Sequence, residues 1–150
     1  MPVTIEDASI QHLDRLYEIE MECFENEAFT RHQIAYLLTD YNSIGLVAKV
    51  NDKIVGFIIG RIYVERKLVV GHILTIDVAP KHRRKGVAQG LLQEIERIFR
   101  EKGVEVCYLE AREDNIAALK LYQKSGYRKI GRLKNYYKNA HGLYLKKVLT

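Results

Sequence analysis

The segment Ile76-Asp77-Val78-Ala79-Pro80-Lys81-His82-Arg83-Arg84-Lys85-Gly86-Val87-Ala88 decides how this chain folds. It joins an apolar, β-branched run to a basic turn, and Gly86 then opens an amphipathic segment with helical spacing. The first turn of a helix carries unpaired backbone N–H groups and the positive end of the helix dipole. A strand, a basic turn, a glycine and a helix in this order therefore predict an anion site. The alternative is a charged loop before an ordinary surface helix.

The periodicity of the other apolar residues predicts one domain over residues 1–150. Strands are expected at 3–5, 44–50, 54–63, 68–78, 104–111, 127–133 and 143–149, and helices at 10–24, 30–38, 87–102 and 116–125. Adjacent strands combined with alternating strands and helices indicate an α/β (α+β) fold, in which a mixed central sheet of about seven strands is covered by helices. Residues 134–142 are expected to form a polar connection between the last two strands.

Local patterns make finer predictions inside these elements. Thr30 and Gln33 have capping-box spacing, and Asp114-Asn115 is expected to cap the helix that follows it. The apolar positions of the first helix are Ile10, Leu13, Tyr17, Met21 and Phe24. Alternation along the strand at 68–78 places His72, Leu74, Ile76 and Val78 on one face, with Ile73, Thr75 and Asp77 on the other.

Composition favours a cytoplasmic globular protein. No apolar run reaches the length of about 18 residues that a membrane-spanning helix requires, and the N-terminus lacks the basic and apolar regions of a signal peptide. The excess of 24 Lys and Arg over 19 Asp and Glu gives a net charge of +5, which suits an anionic ligand. The basic turn lacks interleaved aromatic residues for base stacking, so no nucleic-acid partner is expected.

Neither a disulfide nor a metal site is expected. Cys23 and Cys107 are far apart in the sequence and form no CxxC pair. Cys107 lies in an apolar strand, which favours a buried structural thiol over a nucleophile. The histidines show no ligand spacing.

The basic turn resembles a known cofactor motif. Arg83-x-x-Gly86-x-Ala88 is similar to the acyl-CoA pyrophosphate motif of the GNAT superfamily of N-acetyltransferases. The chain also resembles that family in its order of elements, β-α-α-β-β-β-α-β-α-β-β with four helices, over nearly all its length. The resemblance implies acetyl-CoA as cofactor, bound where the parallel strands at 74–78 and 106–111 separate. The implied cofactor-binding residues are Ile76, Asp77, Val78, Arg83, Arg84, Lys85, Gly86, Val87, Ala88, Asn115 and Tyr122.

A second motif follows the strand at 104–111. Leu109-Glu110-Ala111-Arg112-x-x-Asn115, continued by Tyr122 and Gly126-Tyr127, resembles the protein N-terminal acetyltransferases, including the ribosomal-protein alanine type. Ala111 and Tyr127 replace the usual valine and phenylalanine. The resemblance implies that Glu110 is the general base and Tyr122 the general acid. The alternatives are a Glu110–Arg112 salt bridge or surface charge, and packing of Tyr122 within its helix.

Other residues support a different choice of base. Gly71-His72-x-x-x-Ile76-x-Val78 resembles the same strand of archaeal and eukaryotic-type N-terminal acetyltransferases, where a histidine assists proton removal. Glu25-Asn26 corresponds to a peptide-binding loop whose glutamate is also a catalytic candidate, but Cys23-Phe24 replaces the usual Leu-Pro and leaves the register open. A packed, non-catalytic histidine is the alternative for His72.

Tyr136-Tyr137 matches the tyrosine pair that holds the substrate N-terminus in these enzymes. The acidic segment that follows the pair in the family is absent, since residues 138–142 read Lys-Asn-Ala-His-Gly. This departure weakens any assignment of a particular substrate. The alternative is that both rings pack beneath a hairpin.

The resemblance as a whole implies an acetyl-CoA-dependent transferase that acetylates the α-amino group of protein N-termini by direct attack in a ternary complex. Its partners would be protein or peptide N-termini, including nascent chains or ribosomal proteins, and no membrane is expected. The enzyme would be a monomer or weak homodimer, and binding of an auxiliary subunit is compatible with the resemblance. The rival functions are acetylation of lysine side chains or small amines such as polyamines, and a non-catalytic acyl-CoA sensor.

Overall fold

The computed structural model describes residues 2–150 and confirms the predicted single sheet of seven strands with four helices. The strands are β1 (Thr4–Asp7), β2 (Ser43–Val50), β3 (Lys53–Glu65), β4 (Leu68–Val78), β5 (Val106–Arg112), β6 (Arg128–Tyr137) and β7 (Ala140–Val148). The helices are α1 (Leu13–Cys23), α2 (Arg31–Thr39), α3 (Val87–Glu101) and α4 (Ile116–Lys124). Short 3-10 turns, Ile10–His12 and Pro80–His82, precede α1 and the basic turn.

The strand order β1-β2-β3-β4-β5-β7-β6 contains a single parallel pair, β4 and β5, among the described residues. Residues Val70–Ile73 of β4 pair with residues Val106–Leu109 of β5, and the two strands separate beyond that point. Past Ile73 and Leu109 each strand keeps its outer neighbour, β3 or β7, but no longer pairs with the other strand, so the separation opens a space in the middle of the sheet. This is the place that the family resemblance predicted for the cofactor.

A β-bulge at Leu74 changes which side chains face which layer. On β3, Ile59 pairs with Thr75 and Gly60 pairs with Ile73, so Leu74 has no partner. The extra residue reverses the alternation that follows it. Thr75 and Asp77 consequently face α1, as Leu74 does, whereas Ile73, Ile76 and Val78 pack toward α3. The predicted two-face assignment of this strand was therefore wrong.

The sheet separates two hydrophobic cores. The larger core joins the sheet to α3 and α4, and the smaller core joins it to α1 and α2. The buried face of α1 differs from the prediction, because Ile10 and Met21 are exposed while Leu16 and Ile19 are fully buried. Ile10 lies in the 3-10 turn and not in the helix. The predicted positions Leu13, Tyr17 and Met21 are four residues apart, and because a helix has about 3.6 residues per turn, each step of four moves further around it, away from the buried face. No helix within residues 2–150 combines the length and the apolar character needed to cross a bilayer.

Several element ends were predicted correctly for a clear physical reason. The Thr30 hydroxyl accepts from the Gln33 backbone N–H at 3.1 Å, and the Gln33 side chain accepts from the Thr30 N–H at 2.8 Å, which confirms the capping box.

The predicted connection at 134–142 is instead mostly strand. β6 and β7 continue to a tight turn at Lys138-Asn139, and bulges in β6 disguise its period.

Candidate active site

A cleft of about 570 Å³ lies where β4 and β5 separate. Its floor comes from residues 72–76 of β4 and 109–112 of β5. One wall is the connection between α1 and α2, and the opposite wall is the end of the β6–β7 hairpin. Asn115, Ala118 and Tyr122 at the start and along the length of α4 complete the lining.

His72 and Glu110 meet on the floor of this cleft. His72 Nε2 lies 2.8 Å from Glu110 Oε1 and 2.9 Å from Oε2. The parallel pairing sets His72 beside Tyr108, so Glu110, two residues further along β5, is on the same face of the sheet. The imidazole also borders a second cavity of about 220 Å³. Two of the candidate bases from the sequence, His72 and Glu110, are therefore one hydrogen-bonded pair.

The salt bridge proposed as the alternative for Glu110 does not form. Arg112 pairs instead with Glu27 and Asp114, and its guanidinium lies 5.7 Å from the centre of the Tyr137 ring. Arg112 therefore does not compete with His72 for the carboxylate of Glu110.

Tyr122 lies on the inner face of α4 and borders the cleft with 6% of its surface exposed. Burial raises the pKa of its hydroxyl above the ordinary value, and the nearby Asp77 adds to the shift. The hydroxyl therefore keeps its proton throughout the neutral range. Its ring meets Tyr127 edge-on at 6.1 Å, so Tyr122 also packs within the core, as its alternative interpretation predicted.

Tyr136 and Tyr137 end β6 and form part of the hairpin wall. Their rings meet at 88° with centres 4.9 Å apart. A side chain at Gly142 would come within 3.2 Å of Tyr136, so this glycine leaves room for the ring. Burial raises the pKa of the Tyr137 hydroxyl, and nearby Tyr136 and Glu110 add to the shift. Burial also raises the pKa of the Tyr136 hydroxyl, so both tyrosines that border the cleft are neutral.

The structure does not bring Glu25 into the cleft. Glu25 is exposed, whereas Asn26 and Glu27 line the cavity together with Phe24 and Phe29. Sequence reasoning missed Glu27, although the absent Leu-Pro had left the register of this loop open. Glu27 also forms the ion pair with Arg112 that joins the α1–α2 wall to the floor of the cleft.

The basic turn presents free backbone donors. Gly86 has a φ of +81°, and Arg84 also has a positive φ of 63°. A Cβ at Gly86 would meet no atom within 4 Å, so the surface there is open. Within residues 2–150, the N–H groups of residues 84–89 form no backbone hydrogen bond, and the first helical bond is Gly90 N–H to Gly86 O. This open cradle at the N-terminus of α3 fits the diphosphate of coenzyme A.

The cofactor candidates divide into two groups. Ile76 and Asn115 border the cleft, and Asn115 also caps α4 by accepting from Ala118 N–H at 3.2 Å. Arg84 and Lys85 are exposed, and Ala88 is half-buried. All of these side chains are accessible and make up the first group. The second group consists of Asp77, Val78 and Val87, whose side chains are buried, so these residues could offer only backbone groups to the cofactor.

Arg83 turns back toward the sheet. Its Nε donates to Val78 O at 3.1 Å, and its Nη2 donates to Cys23 Sγ at 3.4 Å. The side chain therefore braces the turn, while the backbone of the following residues remains open. Within residues 2–150 no group of three or more potential metal-ligating side chains is found.

Comparison with known proteins agrees with this geometry. A model of the acetyltransferase (GNAT) family matches residues 13–127. The N-alpha-acetyltransferase of Saccharolobus solfataricus is 29% identical over 155 aligned residues, which cover 95% of this chain and 90% of that protein. Ard1 from Thermoplasma volcanium superposes with a TM-score of 0.89 at 25% identity, covering 100% of this chain and 99% of the other. A chain of the NatC complex bound to Gag peptide and CoA has a TM-score of 0.90 at 21% identity, with both chains covered completely.

Proposed function

This chain belongs to the GNAT acetyltransferase family and is an acyltransferase that uses acetyl-CoA, and we propose that its acceptor is the α-amino group of protein N-termini. The observation that carries the proposal is the His72–Glu110 pair, set on the floor of a cleft whose walls can hold a peptide. Newly made proteins, ribosomal proteins among them, would present such N-termini. The amine attacks directly in a ternary complex, without a covalent acyl-enzyme.

The walls of the cleft suit the end of a polypeptide. Phe24 and Phe29 provide apolar area on one side of the floor, and Tyr136 and Tyr137 provide apolar area and hydroxyl groups on the other. Together they can exclude water from an extended peptide. An α-amine has a reference pKa of about 7.7–8.0 against about 10.4 for lysine, so it needs less help to become neutral.

Glu110 is the group that takes the proton from the attacking amine. Its carboxylate borders the cleft and accepts at either oxygen, directly or through one water molecule. His72 faces both carboxylate oxygens through Nε2, so a proton on that nitrogen orients Glu110 and shares the charge. Glu25 has no part in this scheme, because it lies outside the cleft.

The remaining residues hold the acetyl donor and the second proton. When bound, acetyl-CoA supplies a thioester carbonyl that an amine can attack. The N–H groups of residues 84–89 would hold its diphosphate, and the exposed Arg84 and Lys85 would add positive charge. Tyr122 keeps on its hydroxyl the proton that a departing thiolate requires.

An acetylation assay over peptides that differ only in their first residue tests this proposal. Each peptide has a free α-amine and no lysine, and matched controls carry a blocked α-amine with one internal lysine. We expect turnover of the free α-amines and none of the blocked controls. Preference for the blocked, lysine-containing peptides, or for a polyamine, would overturn the proposed substrate.

A further inference from the structure

A buried acidic cluster lies beneath the cleft, between α1 and β4. Glu20 and Asp77 are each 1% exposed, and Thr75 is 6% exposed. Thr75 Oγ1 lies 3.0 Å from Glu20 Oε1 and 2.6 Å from Asp77 Oδ1. Glu20 and Thr75 border the cleft itself.

Thr75 Oγ1 makes two hydrogen-bond contacts with carboxyl groups, which is one more than its hydroxyl can donate. A hydroxyl has a single hydrogen, so it can donate to only one of the two carboxyl groups. The other short contact requires a proton on a carboxyl oxygen. Within residues 2–150 neither carboxyl group forms an ion pair, and Asp77 Oδ2 has no hydrogen-bond partner. Two adjacent buried carboxylates without a cation cannot both be charged.

The neighbouring contacts indicate which carboxyl group accepts from Thr75 and which one donates to it. Glu20 Oε2 accepts from the backbone N–H of Phe29 at 2.9 Å. Glu20 therefore accepts at both oxygens, as an ionised carboxylate does. Asp77 Oδ1 contacts Thr75, and Asp77 Oδ2 has no hydrogen-bond partner within residues 2–150, which suits a neutral acid that donates to Thr75. Burial raises the pKa of Asp77 well above its ordinary value, with Glu20 as the next cause.

We propose that Glu20 and Asp77 share one proton through Thr75, and that this chain of hydrogen bonds positions the α1–α2 wall of the peptide cleft. The link to the wall is the Phe29 N–H, which belongs to the connection that also supplies Phe24, Asn26 and Glu27 to the lining. Glu20 and Asp77 are thus positioning residues that act on the peptide through the backbone of the wall. This role rests on the proposed function, because it assigns the peptide to this cleft.

The proton makes the cluster sensitive to pH. The groups that face Asp77 are Glu20 and Cys23 of α1, Arg83 of the basic turn and Tyr122 of α4. Because the pKa of Asp77 is raised in the folded state, the folded protein keeps a proton that the unfolded chain releases. This contribution to stability is fully present below the unfolded value of about 3.9 and is lost as pH rises through the folded pKa.

The first test measures the free enzyme and needs no substrate. The amide of Asp77→Asn can donate to Thr75 but cannot ionise. The Tm of this variant minus the Tm of wild type should therefore increase by roughly 3 °C as the pH rises from about 5 to 8.5. Asp114→Asn is the matched control. The pKa of Asp114 is lowered by its hydrogen bond with Arg112, so this aspartate is ionised throughout that range and the control difference should stay constant. An Asp77→Asn difference that does not change with pH would overturn the shared proton.

The second test separates positioning from general stability. Glu20→Ala removes the acceptor of the Phe29 N–H, so the peptide KM should rise about tenfold while kcat and the acetyl-CoA KM change little. Glu20→Gln keeps an acceptor oxygen and should recover most of this loss. The exposed Glu22→Ala, on the same helix, is the unaffected control. An equal loss of kcat and of both affinities in Glu20→Ala would overturn the positioning role.

The pH dependence of peptide binding completes the design. The ratio of the peptide KM of Asp77→Asn to that of wild type should fall as pH rises, because only the wild-type cluster ionises. Taking the ratio cancels the titration of the substrate amine. A substrate other than α-amines would leave the Tm results unchanged, so failure of the proposed function and failure of the shared proton are distinguishable.

Discussion

The two faces of the sheet bury their polar groups in opposite ways. On the α3 face, Glu96 is 3% exposed and accepts from Tyr127 at 2.8 Å and from Lys147 Nζ at 2.7 Å. On the α1 face, Glu20 and Asp77 are buried to a similar degree, but in the part of the chain that the structure describes they form no ion pair and Asp77 Oδ2 has no hydrogen-bond partner. The His72–Glu110 pair lies on this second face and opens to the cleft.

This difference separates structural from functional polar groups. A buried carboxylate with a cation and a hydroxyl donor is compensated, and losing one partner mainly affects stability. A buried carboxyl group without compensation costs free energy, so its position beside a cleft is a sign of function. The contrast predicts that matched substitutions on the two faces will affect activity and stability in opposite ways.

The largest expected effect comes from comparing two glutamates. Glu110→Gln removes the proton acceptor, so kcat/KM should fall about 10²-fold to 10⁴-fold, and the lower-pH limb of the rate profile should disappear. Glu96→Gln should keep its kcat but lose about 3 kcal/mol of unfolding free energy, because Lys147 loses its buried partner. Steady-state kinetics and urea denaturation measure both variants. A catalytic loss in Glu96→Gln without unfolding would remove the distinction between the faces.

A smaller effect on catalysis is expected from a comparison of Tyr122 and Tyr127, two buried tyrosines whose rings are in contact. Tyr122→Phe removes a hydroxyl that borders the cleft, so kcat should fall by about 10²-fold with the acetyl-CoA affinity largely kept. Tyr127→Phe removes a donor to Glu96 and should cost about 1–3 kcal/mol of stability without slowing turnover. Wild-type rates in Tyr122→Phe would show that its hydroxyl is not the required acid.

The smallest effect is expected at two glycines, one at each end of α3. Gly86 and Gly103 have φ values of +81° and +83°, and a Cβ at either would meet no atom within 4 Å. Leucine should therefore impose a similar backbone strain of about 1–2 kcal/mol at both positions. Only Gly86→Leu should also raise the acetyl-CoA Kd, by about tenfold or more, because its side chain covers the free N–H groups. Equal Kd values from calorimetry would refute the phosphate cradle.

Signals within a few residues were sufficient for much of the fold. The capping pattern at Thr30 and Gln33 and the cap at Asn115 were predicted correctly, because each depends on a side chain and a backbone group three residues apart. The strand, basic turn and helix around Gly86 follow from the same local rules. The residues of the β6–β7 hairpin were predicted less well, since bulges conceal the period-two alternation.

Contacts between distant segments decided the composition of the site. The bulge at Leu74 depends on the register of β3 against β4, which no local pattern reveals. Glu27 borders the cleft and pairs with Arg112, which lies at the end of β5 and far from it in the sequence. The meeting of Glu20 with Asp77 likewise depends on how α1 packs on the sheet. Charged residues inside an apolar helix pattern are expected at the surface, so sequence reasoning passed over Glu20.

By itself the sequence determined the order of elements, the open glycine at the start of α3 and the candidate site residues, because these depend on periodicity, capping and short motifs. Only the tertiary structure decided that His72 and Glu110 form a hydrogen-bonded pair, that Glu25 stays outside the cleft and that two acids are buried together beneath it. The physical reason is that proton sharing and ion pairing depend on distances of about 3 Å, and only packing sets such distances between residues far apart in the chain.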